Sequence, residues 1–79
     1  MTIHSLRLHA ITVAVHKAIE FCQCFGRNIP MAQITDREAG FVIGKSLCRD
    51  CGVSVVATQS LDEDTPTVQR FTKEGRPCL

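Results

Sequence analysis

Cys48-Arg49-Asp50-Cys51-Gly52 limits what this chain can fold into more than any other stretch. Two cysteines separated by two residues and followed at once by glycine form a knuckle. Both thiolates turn toward one point, backbone N–H groups face the sulfurs, and the glycine takes a positive φ without steric cost. Segments rich in β-branched residues flank the knuckle, Gly40 to Leu47 before it and Val53 to Thr58 after it. In the first, Phe41, Ile43 and Leu47 alternate with Val42, Gly44, Ser46 and Cys48. In the second, Val53, Val55 and Ala57 alternate with Ser54, Val56 and Thr58. This period of two predicts two antiparallel strands joined at a metal-binding tip. One cysteine pair is half a tetrahedral site, so the rest of the chain must bring two more ligands.

The 79 residues leave room for a single small domain, 1–79. At this size buried apolar surface barely offsets chain entropy, and small domains commonly add a metal or disulfides. Five cysteines are an odd number, which argues against a closed disulfide framework. Met1 to Arg7 lacks the pattern of a secretory signal, so a reducing, cytoplasmic setting is expected, where cysteine pairs serve metal or redox chemistry. No apolar run is long enough to span a membrane.

Residues 3–25 read as a long amphipathic helix. At about 100° per residue, Leu8, Ile11, Ala14, Val15, Ala18, Ile19, Cys22 and Phe25 share one face. Gly26 is placed to stop it, with Pro30 shortly beyond. Residues 27–39 read as a connection with at most one helical turn, from the capping-box spacing of Thr35 and Glu38. Residues 59–67 form a polar loop. Thr67 to Lys73 fits either a helical turn begun by Pro66 or a further strand beside the second, and the strand is favoured. The expected fold class is α+β: the long helix packed on a small antiparallel sheet of two to three strands, with residues 40–78 a zinc-ribbon-like region.

The candidate ligands are Cys48, Cys51, Cys78 and Cys24, with Cys22 the alternative fourth. Cys78 lies near the chain's last residue, where a returning strand would bring it to the knuckle. Cys24 projects from the expected helix flank, whereas Cys22 on the apolar face also reads as a small buried hydrophobe. Free structural thiols and a Cys48/Cys51 redox pair are the competing readings. A redox pair belongs at a helix N-terminus, and this one sits between strands. Four cysteine ligands would close a structural zinc site, contributing on the order of 10 kcal/mol to folding.

Nothing here points to an enzyme. His9 and His16 stand seven residues apart on the polar helix face, too far apart for one metal ion, and no phosphate loop or paired-carboxylate motif occurs. The net charge of +1 leaves no strong footprint for nucleic acid. The charges are uneven, however. Asp62-Glu63-Asp64 forms an acidic tip, and Arg49 and Arg70 lie among the basic residues of the same half. These five are the candidate partner contacts.

Gly40-Phe41-Val42-Ile43-Gly44, the Cys48-to-Gly52 knuckle, the following Val53-Ser54-Val55-Val56 and a late lone Cys78 resemble a type of small phage and mobile-element protein, an N-terminal helix followed by one zinc ribbon. In that type the helix is followed by Gly-His, whose histidine can serve as fourth ligand. Here the pair is Gly26-Arg27, and arginine cannot ligate, which favours Cys24 or Cys22 in its place. The resemblance implies action by binding, and anti-CRISPR proteins are a prominent class of that kind. The expected function is thus an inhibitor that binds a CRISPR effector subunit and blocks target DNA. The alternative is a zinc ribbon that binds nucleic acid in regulation, which needs Lys45, Arg49 and Arg70 on one face.

Overall fold

A computed structural model of the chain describes residues 3–22, 24 and 26–77, with side chains from residue 6 onward. Helix α1 spans Ile3–Ala18. Four strands follow, β1 at Asn28–Asp36, β2 at Phe41–Cys48, β3 at Ser54–Ser60 and β4 at Thr67–Phe71. They form one antiparallel sheet in the order β1-β2-β3-β4, each strand paired with the next in sequence.

Two expectations are overturned. The helix is short, ending at Ala18 rather than Phe25. The sheet has four strands rather than two or three. The extra strand is β1, where a connection was expected. It pairs with β2 from Asn28↔Cys48 to Asp36↔Phe41, and its register shifts between Pro30 and Ala32. A proline can stand in a strand at an edge or a bulge, and Pro30 occupies both. Thr35 and Glu38 do not start a helical turn. Asp36 makes the corner instead, its carboxylate accepting from the Ala39 N–H at 2.8 Å and its carbonyl from Gly40 at 2.9 Å. At the other end, Thr67–Phe71 is a strand paired with β3 rather than a helical turn.

Helix α1 packs chiefly on β2 and β3. Leu8, Ile11, Val15 and Ile19 meet Val42, Val55 and Ala57 in a buried cluster. Gly44 lets the helix come close: a Cβ there would lie 2.8 Å from Val15 Cγ1 and 3.0 Å from Ile19 Cδ1. Leu6 and Val13 face solvent, so the apolar stripe is narrow. The first turns of the helix are tied to the far loop, where Arg7 donates to the carbonyls of Leu61 at 3.3 Å and Glu63 at 2.9 Å. No helix of the described residues is long and apolar enough to cross a membrane.

Candidate metal centre

Beyond α1 the chain turns back on itself, and polar groups of the sheet hold the turn. The Ile19 carbonyl accepts from Ser46 Oγ at 2.7 Å and from Asn28 Nδ2 at 3.1 Å. Asn28 Nδ2 also donates to Ser46 Oγ at 2.9 Å, and all three groups are buried. A short loop follows, closed by a bridge between Phe21 and Arg27 and by the Cys22 N–H donating to the Gly26 carbonyl at 3.0 Å. This loop carries Cys22 and Cys24.

There is a simple reason why the helix stops first. Residues two apart on a helix point about 200° away from each other, so a helical Cys22 and Cys24 could not aim at one ion.

The second pair comes from the β2–β3 connection. Gly52 N–H donates to the Cys48 carbonyl and Cys48 N–H to the Val53 carbonyl, each at 2.9 Å. Gly52 has φ +77°, the positive value expected of a knuckle glycine. Since β1 begins with Asn28 opposite Cys48, the two loops emerge side by side at one end of the sheet.

The four sulfurs of Cys22, Cys24, Cys48 and Cys51 lie within 4.8 Å of one another. Cys22 and Cys51 approach to 3.1 Å, and Cys24 stands 3.6 Å from both Cys48 and Cys51. A tetrahedral ion with metal–sulfur bonds of about 2.3 Å sets its sulfurs about 3.8 Å apart, a spacing within this range. All four are free thiols, Cys22 and Cys48 buried, Cys24 and Cys51 exposed. The four cysteines are placed to hold a metal ion.

Their protonation is uneven. Burial is the largest influence on Cys22 and pushes its thiol up. Hydrogen bonds from the Cys24 amide and from Cys51, Cys24 and Cys48 outweigh it and bring Cys22 down from 9.0 to about 7. Cys51 is pushed up to about 12, chiefly by its hydrogen bond with Cys22 and against the Val53 amide. For Cys24 the Gly26 amide favours the thiolate, but hydrogen bonds with Cys22 and Cys48 leave the thiol raised. The amides of Cys24, Gly26 and Val53 thus each face the sulfur two residues before them, as a knuckle requires.

Gly26 is an intimate part of the centre. A Cβ on it would stand 2.7 Å from Asp50 Oδ2, 3.0 Å from Cys48 Sγ and 3.2 Å from Cys24 Sγ. On the outer side, an open concavity of about 490 Å³ is lined by Cys48, Cys51, Arg49 and Lys73 among others. The Lys73 stem lies across Gly52, its carbons 3.1 to 3.3 Å from where a Cβ would be. A divalent ion with four thiolates carries two net negative charges, and the residues lining this side include the cations Arg49 and Lys73 and the anion Asp50.

The structure therefore brings both Cys22 and Cys24 to Cys48 and Cys51, where one of the two was expected. Cys78 lies outside the described residues, and the other four cysteines form the cluster among those that are described. Of the candidate partner contacts, Arg49 is exposed at the knuckle. Asp62 is exposed, and the exposed Asp64 stands 3.7 Å from Arg7. Glu63 is spent within the loop, its carboxylate accepting from Ser60 N–H at 3.1 Å and Thr67 Oγ1 at 3.4 Å. Arg70 pairs in register with Val55, on the helix side of the sheet, and its Nε is buried without a partner. Lys45 pairs with Val56 on the opposite side.

Comparison with protein-family models, with curated proteins and with solved structures finds no match to this chain.

Proposed function

We propose that this protein is a non-enzymatic binding module whose fold is closed by one structural zinc ion on Cys22, Cys24, Cys48 and Cys51. The observation that carries this reading is the four-thiol cluster itself. Zinc favours four thiolates in a tetrahedron, and a set complete in protein ligands leaves no position for water or substrate. The ion would join the loop after α1 to the β2–β3 connection, a staple suited to a chain of 79 residues.

The partner we propose is a protein, specifically a CRISPR effector subunit in a cytoplasmic setting, whose basic target-DNA groove the module would occupy. That class of partner comes from the sequence resemblance. The structure contributes the surface: Asp62 and Asp64 project from a turn held by Arg7, Glu63 and Gln59. The nucleic-acid reading is less favoured, because strand alternation sends Lys45 and Arg70 to opposite faces.

Inhibition of target-DNA binding by purified effector complexes tests the proposal. Zinc-loaded protein is expected to block DNA binding by one of them, and D62K/D64K to weaken the block at least about tenfold. A block unchanged by the charge reversal removes the acidic turn from the account. The absence of binding to any effector at micromolar protein removes the partner.

A further inference from the structure

The helix covers the wrong face of this sheet for its size. Cross-strand partners share a face, so the registers sort the residues directly. Beneath α1 lie small groups, with Val42 and Gly44 on β2 and Val55 and Ala57 on β3. The opposite face gathers the exposed Ile34 and the half-buried Phe41, Ile43, Leu47, Val56 and Phe71, with Ser54, Thr58, Thr67 and Gln69 between them on β3 and β4. An antiparallel sheet with one solvated face normally turns polar residues outward. Here the larger apolar side chains point away from the only helix among the described residues. Ile34 is 59% exposed, although its neighbour in register is Ile43.

We infer that this open face is the interface of a homodimer, two copies packing sheet on sheet into a sandwich. Asp36 on β1 and Lys45 on β2 are the charged residues that the registers place on this face. One of each sign makes the surface self-complementary, as a two-fold interface requires. Four strands about 4.8 Å apart, with seven or so residues at about 3.3 Å each, give a flat footprint of roughly 450 Å² per copy. Interleaved side chains bury more than their flat footprint, which brings the pair to about 1,200 Å², the lower end of specific interfaces. Such a dimer is expected to be reversible, dissociating on the order of micromolar concentration.

Sedimentation equilibrium of the untagged, zinc-loaded protein under reducing conditions, from about 1 to about 500 µM, tests this. The expected result is a monomer–dimer equilibrium. Ile43→Glu should raise its dissociation constant at least about tenfold, with zinc content and far-UV dichroism unchanged. Should that variant fail to fold, the charges decide. Lys45→Asp should weaken the dimer, and adding Asp36→Lys to it should recover part of the loss even though that exchange removes the cap on the Ala39 N–H. Monomer at every concentration overturns the inference and leaves the face to a different protein. A dimer indifferent to Ile43 and to the charge exchange overturns it as well, since the contact then lies elsewhere.

Discussion

Thiolates repel one another, and here four sulfurs are held within 4.8 Å. Without a cation, the cluster resolves the conflict by sharing protons, with Cys22 lowered to about 7 while Cys51 rises to about 12. The sign for stability follows from Cys22. Its folded value lies below the ordinary 9.0, so its contribution is complete above about pH 9 and is lost as pH falls through about 7. A bound ion, which takes only thiolates, acts in the same direction. Thermal melts of the zinc-loaded protein are therefore expected to show a falling Tm from about pH 8.5 to about pH 6, and a flat Tm across that range would contradict this. Gly26 gives a second test at this scale. The sulfur atoms of Cys48 and Cys24, 3.0 and 3.2 Å from its missing Cβ, have no room to retreat once they hold a metal. Gly26→Ala should lower zinc affinity about tenfold or more in a competitive chelator titration, and wild-type affinity would show that the loop yields.

At the scale of elements, the turn between α1 and β1 does most to shape the site. Asn28 and Ser46 converge on the Ile19 carbonyl, capping the helix end and aiming the next residues at the knuckle. Ser46→Ala leaves Asn28 Nδ2 and the carbonyl short of a buried partner and should cost about 1–3 kcal/mol in a denaturant melt. A loss within 0.3 kcal/mol, on the order of a surface substitution, would show that the bridge is dispensable. Gly44→Val should also destabilise, by about 1–3 kcal/mol, because its methyls would enter the space held by Val15 and Ile19.

These elements also show where the sequence was legible. Alternation in β2 and β3, and the knuckle between them, were open to reading because one face of each is steadily buried. Strand β1 was hidden: after its first residues both its faces are exposed, so no period of two marks it, and Pro30 reads as a breaker. A helix reaching Phe25 follows from the apolar spacing of Ile19 and Cys22, and both are buried although the helix ends at Ala18. The Cys22-x-Cys24 spacing was the available signal, since two ligands so spaced cannot face one ion from a helix.

Taken whole, the molecule is elongated, 41 × 20 × 18 Å, with its apolar cluster under α1 and Cys22, Cys24, Cys48 and Cys51 gathered where the knuckle emerges from the sheet. The other end of the helix has a weaker tie, in which Arg7 reaches the loop after β3 and an exposed ion pair to Asp64 contributes little. The cysteine loops have fewer resources of their own. Cys24 and Cys51 are exposed, and among the described residues short hydrogen-bonded turns, the Phe21–Arg27 bridge and the Lys73 stem across Gly52 hold the loops. A metal ion supplying on the order of 10 kcal/mol is comparable to the entire stability of a small domain. Its removal is therefore expected to loosen the whole fold rather than one corner.

The central claim is that one metal ion on four cysteines completes this fold. Metal content of the purified, untagged protein by mass spectrometry, with circular dichroism before and after chelation, addresses it most directly. The account predicts close to one zinc per chain, lost together with ordered structure on chelation. It also predicts that C22S and C24S each lose the metal as C48S and C51S do. Less than a tenth of an equivalent of metal, with a spectrum unchanged by the chelator, would contradict it and leave four neighbouring thiols with no ion to hold.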